Sequence, residues 1–534
     1  MIAAMNSATT GRILSLDEAA GYVPEQVVNL SRQLVEAKHQ IEWFKRQLFG
    51  QKSERRIPEI SSGQMSLGEG IDAGHAQEQP AGRPVVAHTR GLAAKKSEGA
   101  TEDSLPFFDA SRVPVEVIEL PAPEALGLGP EDFEIIGYKD SYRLAQRPGN
   151  YVVIQYRRPV IKLRAQGQIV CAPAPLSVIE GSRADVSFVA GLLIDKFAYH
   201  LPFYRQHQRL GDGGITVSRP WLTQIARQGV ELIEPIYDAQ FVSVRGSRIK
   251  AMDETPIKAG RAGPGKMKGA YFWPVYGEHD EVCFPFFESR RAEHVEQALG
   301  LTHAQGAVLL SDGYSAYATY AAKAQITHAL CWAHTRRLVF EAQDAEPHAA
   351  ADGLDLIGAL YAVEQRIQEQ NLSAARKLDY RLLHAKPLVE QFFGWVNQSF
   401  ESQGLLPSNP LTKALAYARE RRAGLEVFLT DPEVPIDTNH LERALRAIPM
   451  GRKNWLFSWT ELGAKHVGII QSLIVTCRLH QIDPYDYLVD VLQRVGQHPA
   501  AGVHELTPRL WKQFFAANSL RSDLHNLTAN TITP

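Results

Sequence analysis

The chain has 534 residues, enough for several domains and a large core, and 45% of them are hydrophobic, an ordinary share for a folded protein. A formal net charge of -2 argues against a uniformly polyanion-binding surface, although acidic catalytic residues can hide a basic groove in the sum. Four scattered cysteines (Cys171, Cys283, Cys331, Cys477) exclude a disulfide scaffold, and no apolar run reaches the roughly 20 residues that cross a bilayer. With no basic start followed by an apolar run at the N-terminus, a cytoplasmic location without a membrane partner is expected.

The first predicted element is an N-terminal helix over 24–56. Val27, Leu30, Leu34, Ala37, Ile41, Phe44 and Leu48 recur at alternating spacings of three and four, which fits a short coiled coil or one amphipathic helix lying on the body. Residues 57–104, rich in Gly, Ala, Ser, Gln and Pro, read as a flexible linker with a small basic patch at 87–97. Over 105–175 short β-type runs predict a small β-rich module, its longest run (YVVIQYRRPVIKLR) patterned as a partly exposed sheet. Residues 176–245 are helical, with a glycine turn at Gly211, Gly213 and Gly214 and a helix start at Ser218-Arg219-Pro220. This is compatible with a helix–turn–helix DNA reader or with ordinary packed helices.

From 246 to 340 the pattern changes to short apolar runs bounded by charge or glycine, predicting strands in an antiparallel start with a parallel addition. Asp253 falls in or at the end of the first strand, and Asp312 follows the buried run AVLLS. Two such aspartates are as readily turn or cap residues as catalytic ones. Glu442, in the helical tract NHLERALRAIPMGRKN, supplies a third carboxylate; its bland reading is an i,i+4 surface pair with Arg446. Three acids suit phosphodiester chemistry, because two Mg²⁺ ions held by carboxylates activate the attacking oxygen and neutralise the leaving one. Arg443, Arg446, Arg452 and Lys453 follow the third acid as candidate DNA contacts, with Arg336 in a second cluster, THALCWAHTRRLVFEA. There His328, Cys331 and His334 repeat every third residue. On a helix Cys331 and His334 would share a face, but a fourth ligand is missing, so zinc is not expected. A positioning role for Cys331, His334 and Arg337 stands beside the plain reading of core and satisfied polar residues. Residues 341–432 read as a helical insertion, 433–495 as the return to the catalytic core with the third acid, and 496–534 as a C-terminal tail.

The ordered set QLFGQKSERR, AYHLPFYRQHQRLGDGGITVSRPWL, MDETPIK, LLSDGYSAY, CWAHTRR, IDTNHLERALRAIPMGRKNWLFS and IDPYDYLVDVL resembles the IS66-type transposases of bacterial insertion sequences. The resemblance implies a multidomain α+β/α/β protein with an RNase H-like catalytic core and an inserted helical domain. It implies an acid triad at Asp253, Asp312 and Glu442 using two Mg²⁺ ions, with Mn²⁺ as a substitute, and action on double-stranded DNA at the element's terminal repeats. A homodimer or higher oligomer and companion proteins encoded by the element are implied partners. Two departures matter: Thr438 stands where the family pattern has Asn, and the family's zinc module retains only Cys171 over 105–175, so a degenerate module without zinc is expected. The competing functions are a DNA-binding or assembly protein without catalysis and a metal-dependent nuclease without strand transfer.

Overall fold

The computed structural model describes residues 107–111, 113–129, 132–147, 149–164, 167–402 and 406–525. The expected N-terminal coiled coil (24–56) and linker (57–104) lie outside the described residues. Among the described residues no helix is long and apolar enough to cross a membrane.

The first sheet joins β1 (Val115–Glu119), β2 (Phe133–Arg147), β3 (Asn150–Leu163) and β4 (Ile169–Cys171). β3 is central. It pairs antiparallel with β2 along one edge and shares its other edge between β1 and β4. Pro159, which cannot donate to a ladder, falls in the gap between those two partners. The sequence pattern suggests a partly exposed strand, yet Val152–Tyr156 are buried on both faces. With a side-chain period of two, Val153 faces the main core while Val152, Ile154 and Tyr156 face a second cluster closed by Leu524. The Tyr156 hydroxyl donates to Asp523 at 2.8 Å, so the far end of the chain covers the face that sequence reasoning left open.

Three helices follow: α1 (Val186–Phe197), α2 (Phe203–Asp212) and α3 (Arg219–Gly246). α3 starts as its sequence predicts, with Ser218 accepting from Trp221 N at 3.3 Å and Pro220 in the first turn. Its buried residues, among them Leu222, Ile225, Gly229, Ile233, Ile236 and Gln240, form one stripe at spacings of three and four. The helix then runs straight into the strand that carries the first acid.

That strand is β5 (Ile249–Met252), followed by β6 (Thr255–Gly263), β7 (Lys266–Phe272), β8 (Val275–Gly277), β9 (Glu281–Cys283), β10 (Phe286–Phe287), α4 (Glu293–Leu299), β11 (Val308–Ser311), α5 (Ser315–Ala324) and β12 (Thr327–Leu330). Five of the strands form one sheet in the order β12-β11-β5-β8-β9. β5, β8 and β9 are successive antiparallel neighbours, and β11 and β12 add in parallel on the other side. This is the expected antiparallel start with a parallel addition. β6, β7 and β10 make a separate three-stranded sheet, in which the β6–β7 hairpin is inserted between β5 and β8 and β10 joins from beyond β9.

The remainder is helical: α6 (Trp332–Glu341), α7 (Pro347–Glu369), α8 (Ala374–Tyr380), α9 (Lys386–Ser402), α10 (Pro410–Glu420), α11 (Arg422–Leu425), α12 (Asn439–Leu445), α13 (Ala447–Trp455), α14 (Glu461–Leu479), α15 (Pro484–Arg494) and α16 (Pro508–Phe514). α14 lies against the sheet at very close range. A Cβ on Gly468 would sit 2.2 Å from the Phe284 carbonyl oxygen, so only glycine permits the approach. Its polar residues complete the sheet: Ser472 Oγ accepts from Phe284 N at 2.9 Å, and Thr476 Oγ1 accepts from Val282 N at 3.2 Å and from Gln240 of α3 at 3.0 Å.

Candidate active site

Asp253 and Asp312 leave the carboxyl ends of adjacent parallel strands. β5 and β11 pair with Leu310 opposite Ala251, and extending that register by two places sets Asp312 beside Asp253. Both strands are wholly buried, which fixes the backbone at their ends. Each aspartate also makes a local bond of the turn type: Asp253 accepts from Glu254 N at 2.7 Å and Asp312 from Tyr314 N at 2.9 Å. Glu442 lies in the first turn of α12, half-buried. Among the described residues it has no ion pair with Arg446, so the bland surface-pair reading does not account for it.

The electrostatics join the three acids. Burial pushes the Asp253 carboxyl up to about 7, and the negative charges of Glu254, Asp312 and Glu442 push in the same direction. His334, in α6, feels the charge of the same acids. Burial and Arg337 lower its pKa, while Asp312, Glu442 and Glu254 raise it. Its buried Nδ1 has no hydrogen-bond partner among the described residues.

The second cluster is built differently from its three-residue spacing. His328 is in strand β12, Cys331 is the residue before α6, and only His334 is helical, because the buried strand ends at Leu330. His328 bonds Ser311 Oγ at 2.8 Å, and burial pushes its imidazole down to about 4. Cys331 is buried, and burial raises its thiol pKa; its sulfur accepts from Thr438 N at 3.3 Å and from Thr438 Oγ1 at 3.2 Å. Trp332, fully buried, adds two anchors: its backbone N–H donates to Ile436 O at 3.1 Å and its indole to Leu425 O at 2.9 Å. Cys331 and Trp332 thus clamp to the sheet the loop that precedes α12. Thr438, the departure from the family pattern, is part of that clamp.

Other contacts bind the two ends of the site together. Arg452 of α13 donates to the Pro256 carbonyl, and Ser458 N donates to Lys258 O at 2.9 Å, both on the strand that follows Asp253. Arg452 is therefore partly committed to the fold. Arg336, Arg337, Arg443, Arg446 and Lys453 are exposed.

Sequence reasoning missed a polar cluster beside the acids. Glu254 is only 5% exposed; it accepts from Tyr317 OH at 2.6 Å and pairs with Arg290 (Nε to Oε1 2.7 Å). Arg290 lies 4.4 Å over the Tyr314 ring, and Tyr314 OH donates back to Arg290 O at 2.9 Å. Arg290 is 47% exposed and so presents a solvent-facing cation between the loops after the first two acids. The signal was the acid next to Asp253 in MDET, but its partners lie far off in sequence.

The donor set of the cluster, carboxylate oxygens with too little positive charge around Asp253, suits a hard divalent cation. Among the described residues, however, no three His, Cys, Asp or Glu side chains converge closely enough to hold one.

A mixed sheet backed by helices, with Asp253 and Asp312 at the ends of adjacent central strands, defines an α+β protein. A family profile described as Transposase IS66 family matches residues 181–466, and the chain belongs to that family. The IS66 C-terminal element matches residues 472–509, and a profile described as Transposase C of IS166 homeodomain matches residues 36–107. Similar curated proteins come from Sinorhizobium fredii (strain NBRC 101917 / NGR234). Uncharacterized protein y4hP is 28% identical over 91% of this chain and 90% of its own length. For y4jD the figures are 28%, 92% and 97%, and for y4qI 32%, 74% and 74%.

Proposed function

We propose that this protein is a DNA transposase that binds the terminal inverted repeats of an insertion sequence and cuts and joins strands at Asp253, Asp312 and Glu442. The observation that carries the reading is the parallel register that sets Asp312 beside Asp253 at the ends of two buried strands. Consistent with it, burial and the charges of Glu254, Asp312 and Glu442 raise the Asp253 carboxyl to about 7. The sheet order β12-β11-β5-β8-β9, central strand first with a hairpin on one side and parallel strands on the other, supports an RNase H-like core. Helices α7–α11 then serve as the inserted helical domain between the second and third acids.

Two Mg²⁺ ions, or Mn²⁺, would supply Lewis acidity for displacement at phosphorus when bound. Asp253, Asp312 and Glu442 would be the residues that hold these ions through their carboxylate oxygens. The Glu254–Arg290 pair holds the Asp253 turn, and the Cys331–Thr438 clamp holds the Glu442 helix. Exposed Arg336, Arg443, Arg446 and Lys453 draw the DNA backbone to the site. Water attack on the phosphodiester at an element end releases a 3′-hydroxyl. That hydroxyl attacks a target phosphodiester, forming one P–O bond and releasing one target 3′-hydroxyl. Handling two ends together calls for a dimer or larger assembly, with companion proteins encoded by the element.

One observation favours a second reading, a DNA-binding or assembly protein without catalysis: no three acids converge tightly among the described residues. Catalytic contacts are often long without substrate and tighten when it binds, so the substrate-free spacing does not by itself decide between the two readings. The deciding experiment is cleavage and joining of end-bearing duplex with Mg²⁺, comparing the intact protein with Glu442→Gln. End-specific nicks and joined products from the intact protein alone support the transposase. Nicks without joined products indicate a nuclease. Binding without cutting by both, with Mn²⁺ and companion proteins present, sinks the catalytic reading.

A further inference from the structure

The β6–β7 hairpin is inserted between β5, the strand that leads into Asp253, and β8, the next strand of the same sheet, yet it adds no side chain to the acid cluster. Its base is ordinary core: Ile257, Ala259, Ala270 and Phe272 are buried. At Gly260, which has a φ of 73°, the pairing register shifts and the inside–outside alternation ends. Beyond it the tip reads RAGPGKMKG (261–269), with three cations, no acid and almost every residue exposed. Lys268 is paired with Glu461 at 2.7 Å. Lys258, Arg261 and Lys266 have no ion pair among the described residues.

A second segment lies along the hairpin's free edge. Gly260 N donates to Ser458 O at 3.1 Å and Ser458 N to Lys258 O at 2.9 Å, so residues around 458 run as a short parallel addition to β6. This segment holds two large apolar side chains in water: Leu456 is 65% exposed and Trp459 62%. Leu456 also has a φ of 62°, a conformation that a bulky residue adopts only when its surroundings impose it. The Arg261 guanidinium lies 5.0 Å over the Trp459 ring, which keeps the guanidinium extended while leaving its N–H edge free.

We propose that the hairpin tip and the Leu456–Trp459 turn together form a duplex-DNA-binding surface that grips the backbone beside the cleaved phosphate, a placement that rests on the transposase reading above. Three cations without ion pairs among the described residues, beside one acid (Glu461) already taken by Lys268, match a polyanion, and an exposed indole beside them suits the sugar and base edges of a groove. Distance sets the register. Arg261 is eight residues from Asp253 along an extended strand, at most about 26 Å, or about eight base pairs of duplex.

The test uses the full chain, a labelled duplex bearing the element end, and the variant Lys258→Gln/Arg261→Gln/Lys266→Gln. These side chains face solvent, so melting should match the parent. Affinity near 0.15 M salt should fall about tenfold or more, and the slope of log affinity against log salt should shrink by about two to three. Backbone protection within about eight base pairs of the cut should disappear, and the DNA-induced fluorescence change should be smaller in Trp459→Phe than in the parent. Unchanged affinity and salt slope in a variant that still cuts overturn this surface and leave the transposase reading standing. Loss of self-association or of a companion protein's binding, with DNA binding intact, assigns the surface to a protein partner and likewise overturns it. An intact protein that binds no duplex overturns the transposase reading and this surface with it.

Discussion

The two sides of the acid cluster are held by different means. Asp253 and Asp312 sit at the ends of buried neighbouring strands, where ladder hydrogen bonds fix the backbone before any side chain is considered. Glu442 sits on a helix of seven residues, too short to hold itself in place, and depends on Trp332, Cys331, Thr438 and the Arg452–Pro256 bond. The strand side is rigid by topology. The helix side is rigid only while its side-chain clamp lasts, so damage to the clamp should reach Glu442 and spare the aspartates.

The largest blow to that contrast is Trp332→Ala. It removes a fully buried indole and its bond to Leu425, and a loss of about 3–5 kcal/mol is expected in denaturant unfolding. Phe392 and Phe393, which pack edge-on against the indole, lose their partner as well. A stability close to the parent's would show that the clamp is not the anchor described.

On the strand side the corresponding probe is Asp253→Asn, read against pH without divalent cations. An unfolded aspartate titrates near 4 and the folded Asp253 at about 7. The folded state therefore binds the proton more tightly. Its contribution is fully present below about pH 4 and is lost as pH rises through 7. At about 1.4 kcal/mol per pH unit, the parent should lose up to about 4 kcal/mol relative to the Asn variant between pH 4 and 7. Adding Mg²⁺ at pH 8 should raise the parent's melting temperature and leave the variant's unchanged. Parallel pH profiles for the two proteins would remove the buried-acid argument.

Away from the site, Gly468→Ala tests the contact between α14 and the sheet. The added methyl meets the Phe284 carbonyl at 2.2 Å, which forces the helix outward at a cost of about 1–3 kcal/mol. A neutral result in thermal unfolding would mean that the helix sits farther from the sheet.

The strand side was largely legible in the sequence, because short apolar runs ending in Asp read directly as buried strands with acids at their ends. The tract around Glu442 was legible through its resemblance to a family. The clamp was not. His328, Cys331 and His334 mimic one helical face by their spacing, and only the end of the buried strand at Leu330 separates them. The Glu254 partners were invisible for a different reason: Arg290 and Tyr317 lie 36 and 63 positions away, beyond the reach of any local pattern. Likewise, YVVIQYRRPVIKLR showed its period of two, but nothing local reveals that Leu524 covers its second face.

The smallest expected change in stability is the most discriminating one. Thr438 stands at the N-cap of α12, yet its hydroxyl makes no capping bond and donates instead to the Cys331 sulfur. Thr438→Val keeps the shape and removes that donor, leaving the sulfur only backbone donors, so unfolding free energy should drop by only about 0.5–1.5 kcal/mol. Cleavage of end-bearing duplex should fall by a larger factor than this loss implies, because the carboxylate one turn along the helix loses its register while the fold survives. Thr438→Ser restores the donor and should recover most of the rate. Equal stability and equal cleavage in Thr438→Val would mean that the backbone alone orients Glu442, and the contrast between a ladder-held and a side-chain-held half of the site would collapse.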